Sequence, residues 1–188
     1  MTDLDYLKKQ VSIIINLYNS KRYEELIKKG MVLIKKFPNV IVTRSFSKIY
    51  ALGGLRIGWG YSSLKNISRI YQFKKPFNVS RLSCAAATEA LKDQQWISKS
   101  IKNNEKNKKL TINNLNNSLF KTIDTTANFI LLEFKNRNSA NRFAQYLYRN
   151  KITVRHLASY GLPNHIRMTI GNAHEMKKTI KICNRFDV

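Results

Sequence analysis

The β-branched triplet Val40-Ile41-Val42 runs straight into Thr43-Arg44-Ser45-Phe46-Ser47-Lys48, and Leu52-Gly53-Gly54-Leu55-Arg56-Ile57-Gly58 follows three residues later. No other stretch constrains the fold as strongly. The triplet reads as a short buried strand, and Leu55 to Tyr61 reads as the next one. Between them lies a loop carrying two serines and a lysine, and Gly53-Gly54 marks backbone that turns tightly or is closely approached. Ligand sites in open α/β sheets lie beyond the carboxyl ends of strands, where this loop belongs. The expectation is an α/β protein with its chemistry in this loop.

The residue types suit one kind of ligand. A phosphate ester needs hydroxyl donors and a cation, which Ser45, Ser47 and Arg56 supply, the arginine with a fork of donors. An aldehyde needs an amine nucleophile, and Lys48 is one. An amine released from such a bond can then carry a proton between carbons. Glycines at 53, 54 and 58 let backbone come close. Taken singly, Lys48 would read as one of many surface lysines and Arg56 as a surface ion pair.

Bulk properties set the outer bounds. The chain has 188 residues, 43% of them hydrophobic, enough for one domain or two small ones with a core. Its net charge of +23, from 34 basic and 11 acidic residues, raises the question of a polyanion partner. The lysines are scattered among Asn and Ile through every segment, so the charge reads as solvated background, and nucleic acid is not the expected partner. The run from Lys102 to Lys109 is read as a solvated helix face. Cys84 and Cys183 make neither metal spacing nor a disulfide framework, so no metal is expected, and Cys84 in Ser83-Cys84-Ala85-Ala86-Ala87 reads as a packing residue. Met1-Thr2-Asp3-Leu4-Asp5 is acidic where a secretory signal is positive, and Val11 to Leu17 is too short to span a bilayer. The expected location is cytoplasmic, away from membranes.

Helical spacing covers 4–18 and 22–37, with Tyr18-Asn19-Ser20-Lys21 as the turn between them. Further helices are expected over 63–73, from an N-cap at Ser80 through Leu91, and over 95–117. The last third predicts strands at Phe129–Phe134, Ile152–Arg155 and Ile166–Ile170, with helices at Ser139–Arg149 and Ala173–Ile182. This β-α-β-β-α order implies a small α/β lobe with a partly antiparallel sheet. Trp59 and Tyr61 read as packing, His156 and His165 as core or loop histidines, and Tyr160 as either packing or part of a site mouth.

The Lys48 segment resembles the active-site lysine region of fold-type I aminotransferases of class I and II. Within that group, Val42 to Lys48 and Leu55-Arg56-Ile57-Gly58-Trp59-Gly60 look most like the histidinol-phosphate aminotransferases. Thr126-Ala127-Asn128-Phe129-Ile130-Leu131-Leu132, Ile152-Thr153-Val154-Arg155-His156-Leu157, Tyr160-Gly161-Leu162-Pro163 and Ile166-Arg167-Met168-Thr169-Ile170-Gly171 follow the family's order. The resemblance implies pyridoxal 5′-phosphate as cofactor, with Lys48 as catalytic lysine and Ser45, Ser47, Lys48 and Arg56 binding the cofactor. It implies that Asn128 faces the substrate, that Arg167 clamps the carboxylate of the amino-acid partner, glutamate or 2-oxoglutarate, and that Arg155 contacts the phosphate of histidinol phosphate. Guanidinium forks fit both anions; the plainer readings are surface salt bridges for the arginines and a strand start for Asn128. The implied reaction passes an amino group between glutamate and imidazoleacetol phosphate in histidine biosynthesis, in a homodimer. Two other readings stay open: an aminotransferase for another, aromatic, amino acid, and a non-catalytic basic binding module built on 4–37 and 95–117.

The resemblance spans about residues 35–186, the C-terminal half of the family. It implies a partial pyridoxal-phosphate-dependent transferase fold. Residues 38–95 would be the C-terminal part of the large domain, 96–117 a bridging helix, and 118–188 the small α/β domain. Residues 1–37 form a helical segment that looks foreign, since Ile15 to Leu26 resembles a tetratricopeptide helix pair. No Asp-x-Ala-Tyr segment, the family's source of the pyridinium-facing aspartate, precedes Lys48. The expectation is therefore a truncated or joined reading frame with little or no turnover of its own.

Overall fold

The computed structural model of the chain describes residues 23–115 and 117–187. The predicted helix over 4–18 and the turn after it lie outside these residues. The chain divides into two compact units, the first ending at Asp93 and the second beginning at Gln94.

In the first unit, α1 (Tyr23–Lys36) ends where Phe37 N–H reaches back to the Leu33 carbonyl at 2.8 Å, just before Pro38. Strands β1 (Val42–Ser45) and β2 (Gly58–Tyr61) pair antiparallel, with Val42 opposite Tyr61 and Ser45 opposite Gly58. Both are displaced from the sequence expectation. The β-branched run continues into Thr43, so pairing starts at Val42 rather than Val40. Residues 53–55 coil into a 3-10 turn and Arg56 takes a left-handed φ of 50°, so extended backbone resumes only at Gly58. Helix α2 (Leu64–Phe73) is capped by Ser63 and α3 (Arg81–Lys92) by Ser80, as expected for the latter. Ser62 Oγ donates to the Val40 carbonyl at 2.6 Å, and the Asn66 amide donates to the Pro38 carbonyl at 2.6 Å, tying the start of α2 to the entrance of β1.

Large apolar side chains remain on the surface of this unit, with Phe77 at 98%, Leu64 at 86% and Phe73 at 85% exposure. Trp59 and Tyr61, read as packing from the sequence, are exposed. Cys84 also faces outward, because Ser83 and Ala87 are the buried positions of α3.

The second unit opens with α4 (Gln94–Asn114) and continues into a four-stranded sheet with two further helices. The strands are β3 (Phe120–Ile123), β4 (Phe129–Phe134), β5 (Arg155–Leu157) and β6 (Leu162–Thr169), in the order β3-β4-β6-β5. Every pairing is antiparallel, where a partly antiparallel sheet was expected. Strand β3 was not anticipated. Its four residues, Phe-Lys-Thr-Ile, are too few for a clear alternation, and the pairing of Phe120 with Phe134 and Ile123 with Leu131 holds them extended. Ile130, Leu132 and Phe134 of β4 and Ile166 and Met168 of β6 turn to one face, where α5 (Arg137–Arg149) and α6 (Ala173–Cys183) cover them. Phe143 of α5 is fully buried with its ring 5.2 Å from Phe120, 5.2 Å from Phe134 and 5.1 Å from Phe186. Burying such a ring contributes about 1.5–3 kcal/mol. Among the described residues, no helix is long and apolar enough to cross a membrane.

Helix α5 stops in a Schellman turn: Lys151 N–H bonds the Tyr148 carbonyl and Ile152 N–H bonds the Leu147 carbonyl, both at 2.9 Å. Lys151 therefore has a φ of 63°. This turn delays β5 from the expected 152–155 to Arg155–Leu157. Glycine adopts that conformation without the side-chain penalty, so Lys151→Gly is expected to stabilise the chain by about 0.5–1 kcal/mol, read by urea denaturation. A Lys151→Val variant should do the opposite.

Cys183 is fully buried, and burial pushes its thiol from 9.0 up to about 12. The native state thus keeps a proton that the unfolded chain loses. Stability should fall as pH rises from about 9 towards about 12. A thiol reagent at pH 8 should label Cys84 in the native protein, and Cys183 only after denaturation.

Candidate functional site

Ser45 ends β1, so Phe46, Ser47 and Lys48 enter the loop as the strand closes. Phe46 is the anchor: it is buried, its ring lies 4.8 Å from that of Tyr50, and its N–H bonds the Ile57 carbonyl at 3.1 Å. Leu52 N–H returns to the Phe46 carbonyl at 3.1 Å, which folds the loop into a compact turn around that ring. Ser45 Oγ donates to Ser47 Oγ at 2.8 Å and accepts from Ser47 N–H at 3.0 Å, so the two hydroxyls are held side by side. Lys48 is exposed, and its carbonyl accepts from Ala51 N–H at 2.9 Å.

Arg56 closes the same turn. Its left-handed backbone costs a non-glycine residue about 1–2 kcal/mol, and Ala51 in the same loop shares the strain with a φ of 57°. Strain of this kind collects where structure serves a ligand. Two bonds hold it. Arg56 Nη1 donates to the Gly53 carbonyl at 2.7 Å, and the buried Ser83 of α3 donates its Oγ to the Leu55 carbonyl at 2.9 Å. Ser83 is a residue the sequence reading missed, being 28 positions from Leu55 with no local motif to mark it. Gly58 is required sterically, because a Cβ there would lie 2.6 Å from the Arg44 carbonyl oxygen.

The second cluster lies on the open face of the four-stranded sheet. Period-two alternation turns Ile166 and Met168 inward and Arg167 outward. Arg167 pairs directly with Arg155 across β5 and β6, and with Leu131 across β4. Like charges at facing positions repel, and neither arginine forms an ion pair with a described carboxylate. The Arg167 guanidinium stacks 5.2 Å over the Phe129 ring, and its buried Nε has no hydrogen-bond partner. Arg155 donates to the Tyr160 hydroxyl at 3.1 Å and lies 5.4 Å over that ring. Asn128 is exposed at the start of β4, and its carbonyl accepts from Ile170 N–H at 2.9 Å, next to the end of the Arg167 strand. Within the first unit, then, the structure brings Ser45 and Ser47 into contact and places Lys48 and Arg56 in the same loop, with the Arg56 guanidinium on the Gly53 carbonyl; within the second, it sets Arg155 opposite Arg167. Tyr160 and Phe129 join the second cluster, although no sequence rule gave the register that puts them there.

The family model for aminotransferase class I and II matches residues 16–186. The chain belongs to the class I and II aminotransferases. Among its relatives in that family, a Campylobacter jejuni (strain RM1221) protein named histidinol-phosphate aminotransferase is 41% identical over 146 residues, which are 78% of this chain and 40% of that protein. A Paracoccus denitrificans protein of the same name is 32% identical over 157 residues, covering 84% of this chain and 43% of its own. Among solved structures, histidinol-phosphate aminotransferase from Sinorhizobium meliloti, in complex with pyridoxal-5′-phosphate, superposes with a TM-score of 0.72 at 26% identity, over 78% of this chain and 40% of that one. The chain thus spans well under half the length of these aminotransferases, with part of the large domain and the small domain of the α/β aminotransferase fold. The family match begins inside the stretch whose helical pattern resembles a tetratricopeptide pair.

The aminotransferase loop depends on the close approach at Gly58, so Gly58→Ala should destabilise the chain by more than about 1 kcal/mol in urea denaturation. Gly54→Ala, with nothing within 4 Å of the added Cβ, should change stability by less than about 0.5 kcal/mol.

Proposed function

We propose that this chain carries the cofactor-anchoring loop and the substrate-anion cluster of a pyridoxal-phosphate-dependent aminotransferase acting on histidinol phosphate and 2-oxoglutarate. The observation that carries the reading is one strained loop that holds two hydrogen-bonded hydroxyls, Ser45 and Ser47, together with the exposed Lys48 and Arg56. That donor set fits a phosphorylated aldehyde. Hydroxyls and the arginine fork complement the phosphate oxygens, and the lysine complements the carbonyl carbon. When bound, the cofactor supplies an electrophilic carbon and an electron sink.

The chain's own residues perform the rest. Ser45 and Ser47, already hydrogen-bonded to each other, turn their hydroxyls to the phosphate without a large reorganisation. Arg56 neutralises its charge. Lys48 would supply the amine that holds the cofactor's aldehyde carbon, and its free Nζ would carry a proton at the reacting carbon. Arg167 receives a carboxylate, because its Nε is buried without a partner and an anion would complete it. Arg155, exposed and oriented by Tyr160, receives the phosphate of the alternative substrate. Relatives named histidinol-phosphate aminotransferase support this choice over an aromatic amino acid. The working assembly in this reading is a homodimer of the whole protein.

Adding pyridoxal 5′-phosphate to the purified chain, followed by borohydride and peptide mass spectrometry, should place a reduced pyridoxyl group on Lys48. Lys48→Ala should abolish the label at that peptide, and Arg56→Ala should weaken uptake about 10- to 100-fold, the value of a charge-assisted phosphate contact. Labelling spread evenly over surface lysines, unaffected by Arg56→Ala, would sink the reading.

A further inference from the structure

Helix α4 holds a polar face where the sequence suggested only a solvated one. Asn104, Asn107, Lys108 and Thr111 follow the three- and four-residue steps that share one side of a helix. Lys102, Lys106 and Lys109 are exposed as expected, but Asn107 is 7% exposed and the Lys108 side chain only 11%. A buried amide and a nearly buried ammonium are costly unless they are paired, and both are paired with one region.

Lys108 Nζ donates to the Thr125 carbonyl and lies 2.9 Å from Asp124 Oδ1. Asn104 Nδ2 donates to the Ala127 carbonyl at 3.4 Å, and Asn107 Nδ2 to the Gly171 carbonyl at 3.0 Å. All of these acceptors lie in the 124–127 loop or at Gly171. The first segment leads into Asn128. The second leaves the strand that presents Arg167. Ile170 N–H bonding the Asn128 carbonyl joins the two, and Thr125 Oγ1 bonding the Phe129 carbonyl fixes the ring beneath Arg167. At Gly171 a Cβ would meet Glu175 Oε2 at 2.3 Å, so any larger residue there has to move that carboxylate out of the capping box of α6.

We propose that Lys108 and Asn107 are positioning residues: from one face of α4 they clip the 124–128 loop to the end of β6, and so fix Asn128 and the Phe129–Arg167 stack for substrate. The assignment of Asn128 and Arg167 as substrate contacts rests on the function proposed above. Backbone carbonyls as acceptors make the clip act on chain position rather than on any one side chain, and this is what a site built from two separate segments requires.

The test uses the full chain with Lys108→Met, which keeps the apolar stem, and Lys108→Arg, which keeps a cation. Asp124→Asn serves as a milder variant, because Asp124 is 63% exposed and its loss leaves the core intact. Amide hydrogen exchange is read at residues 124–128 and 170–171 against β4 as internal reference. Lys108→Met should speed exchange about tenfold or more in these segments alone, with Asp124→Asn in the same sense and Lys108→Arg restoring the native rate. Unchanged exchange, or an equal rise across β4, overturns the clip. Glutarate, a dicarboxylate probe, is then titrated by calorimetry with Arg167→Ala as control. Weaker glutarate binding in Lys108→Met, by about tenfold and rescued by Lys108→Arg, supports positioning; unchanged affinity alongside faster exchange overturns it. Failure of the unaltered chain to bind glutarate overturns the substrate role of Arg167 and the positioning role with it, while the exchange data still decide whether the clip exists.

Discussion

The antiparallel pairing of β4 with β6 governs most of what the second unit does. Its register puts Leu131 opposite Arg167 and Leu132 opposite Ile166, so a single alternation drives apolar side chains into the core and the arginine out of it. A slip of one residue would bury the guanidinium and expose Ile166 and Met168. The aromatic cluster around Phe143 fixes that choice, because only one face of the ladder carries the volume that α5 and α6 cover. Core packing and the anion cluster are therefore two sides of one constraint.

The cluster itself is built against local electrostatics. Two arginines face each other across neighbouring strands, one with a buried nitrogen lacking a partner, and no described carboxylate offsets them. Aromatic rings do part of that work: Phe129 under Arg167 and Tyr160 beside Arg155 hold the side chains through their faces and one hydroxyl. What remains is an Arg167 Nε that is buried without a hydrogen-bond partner. The lysine loop of the first unit carries its strain in the backbone, in left-handed conformations at Ala51 and Arg56 that sit beside bonds to Gly53 and from Ser83.

The first unit contrasts with the second in how much of its apolar surface it buries. Phe77, Leu64, Phe73 and Leu82 stay exposed there, while the second unit packs Phe120, Phe134, Phe143 and its buried aliphatic side chains around one sheet. The homologous enzymes are more than twice the length that this chain matches. The two observations agree with a chain that contains part of a large domain together with a small domain.

The residue types of the site were legible in the sequence because they are contiguous: two serines, a lysine, a glycine pair and an arginine within one stretch define a phosphate and aldehyde chemistry without any knowledge of distant contacts. The Ser80 cap and the helices α2, α5 and α6 were legible for the same reason, since capping and amphipathic spacing act over a few residues. Strand β3, the left-handed turn at Arg56, the exposure of Cys84 and Trp59, and the burial of Lys108 were not. Strand β3, the turn and Lys108 each depend on a partner outside their own segment: Phe134 for β3, Ser83 for the Leu55–Arg56 turn, Thr125 and Asp124 for Lys108. Sequence by itself determined which chemical groups this protein brings to a ligand. Only tertiary structure decided that Arg155 and Arg167 stand face to face, because strand register is set by packing across the sheet and not by the eleven residues that lie between them.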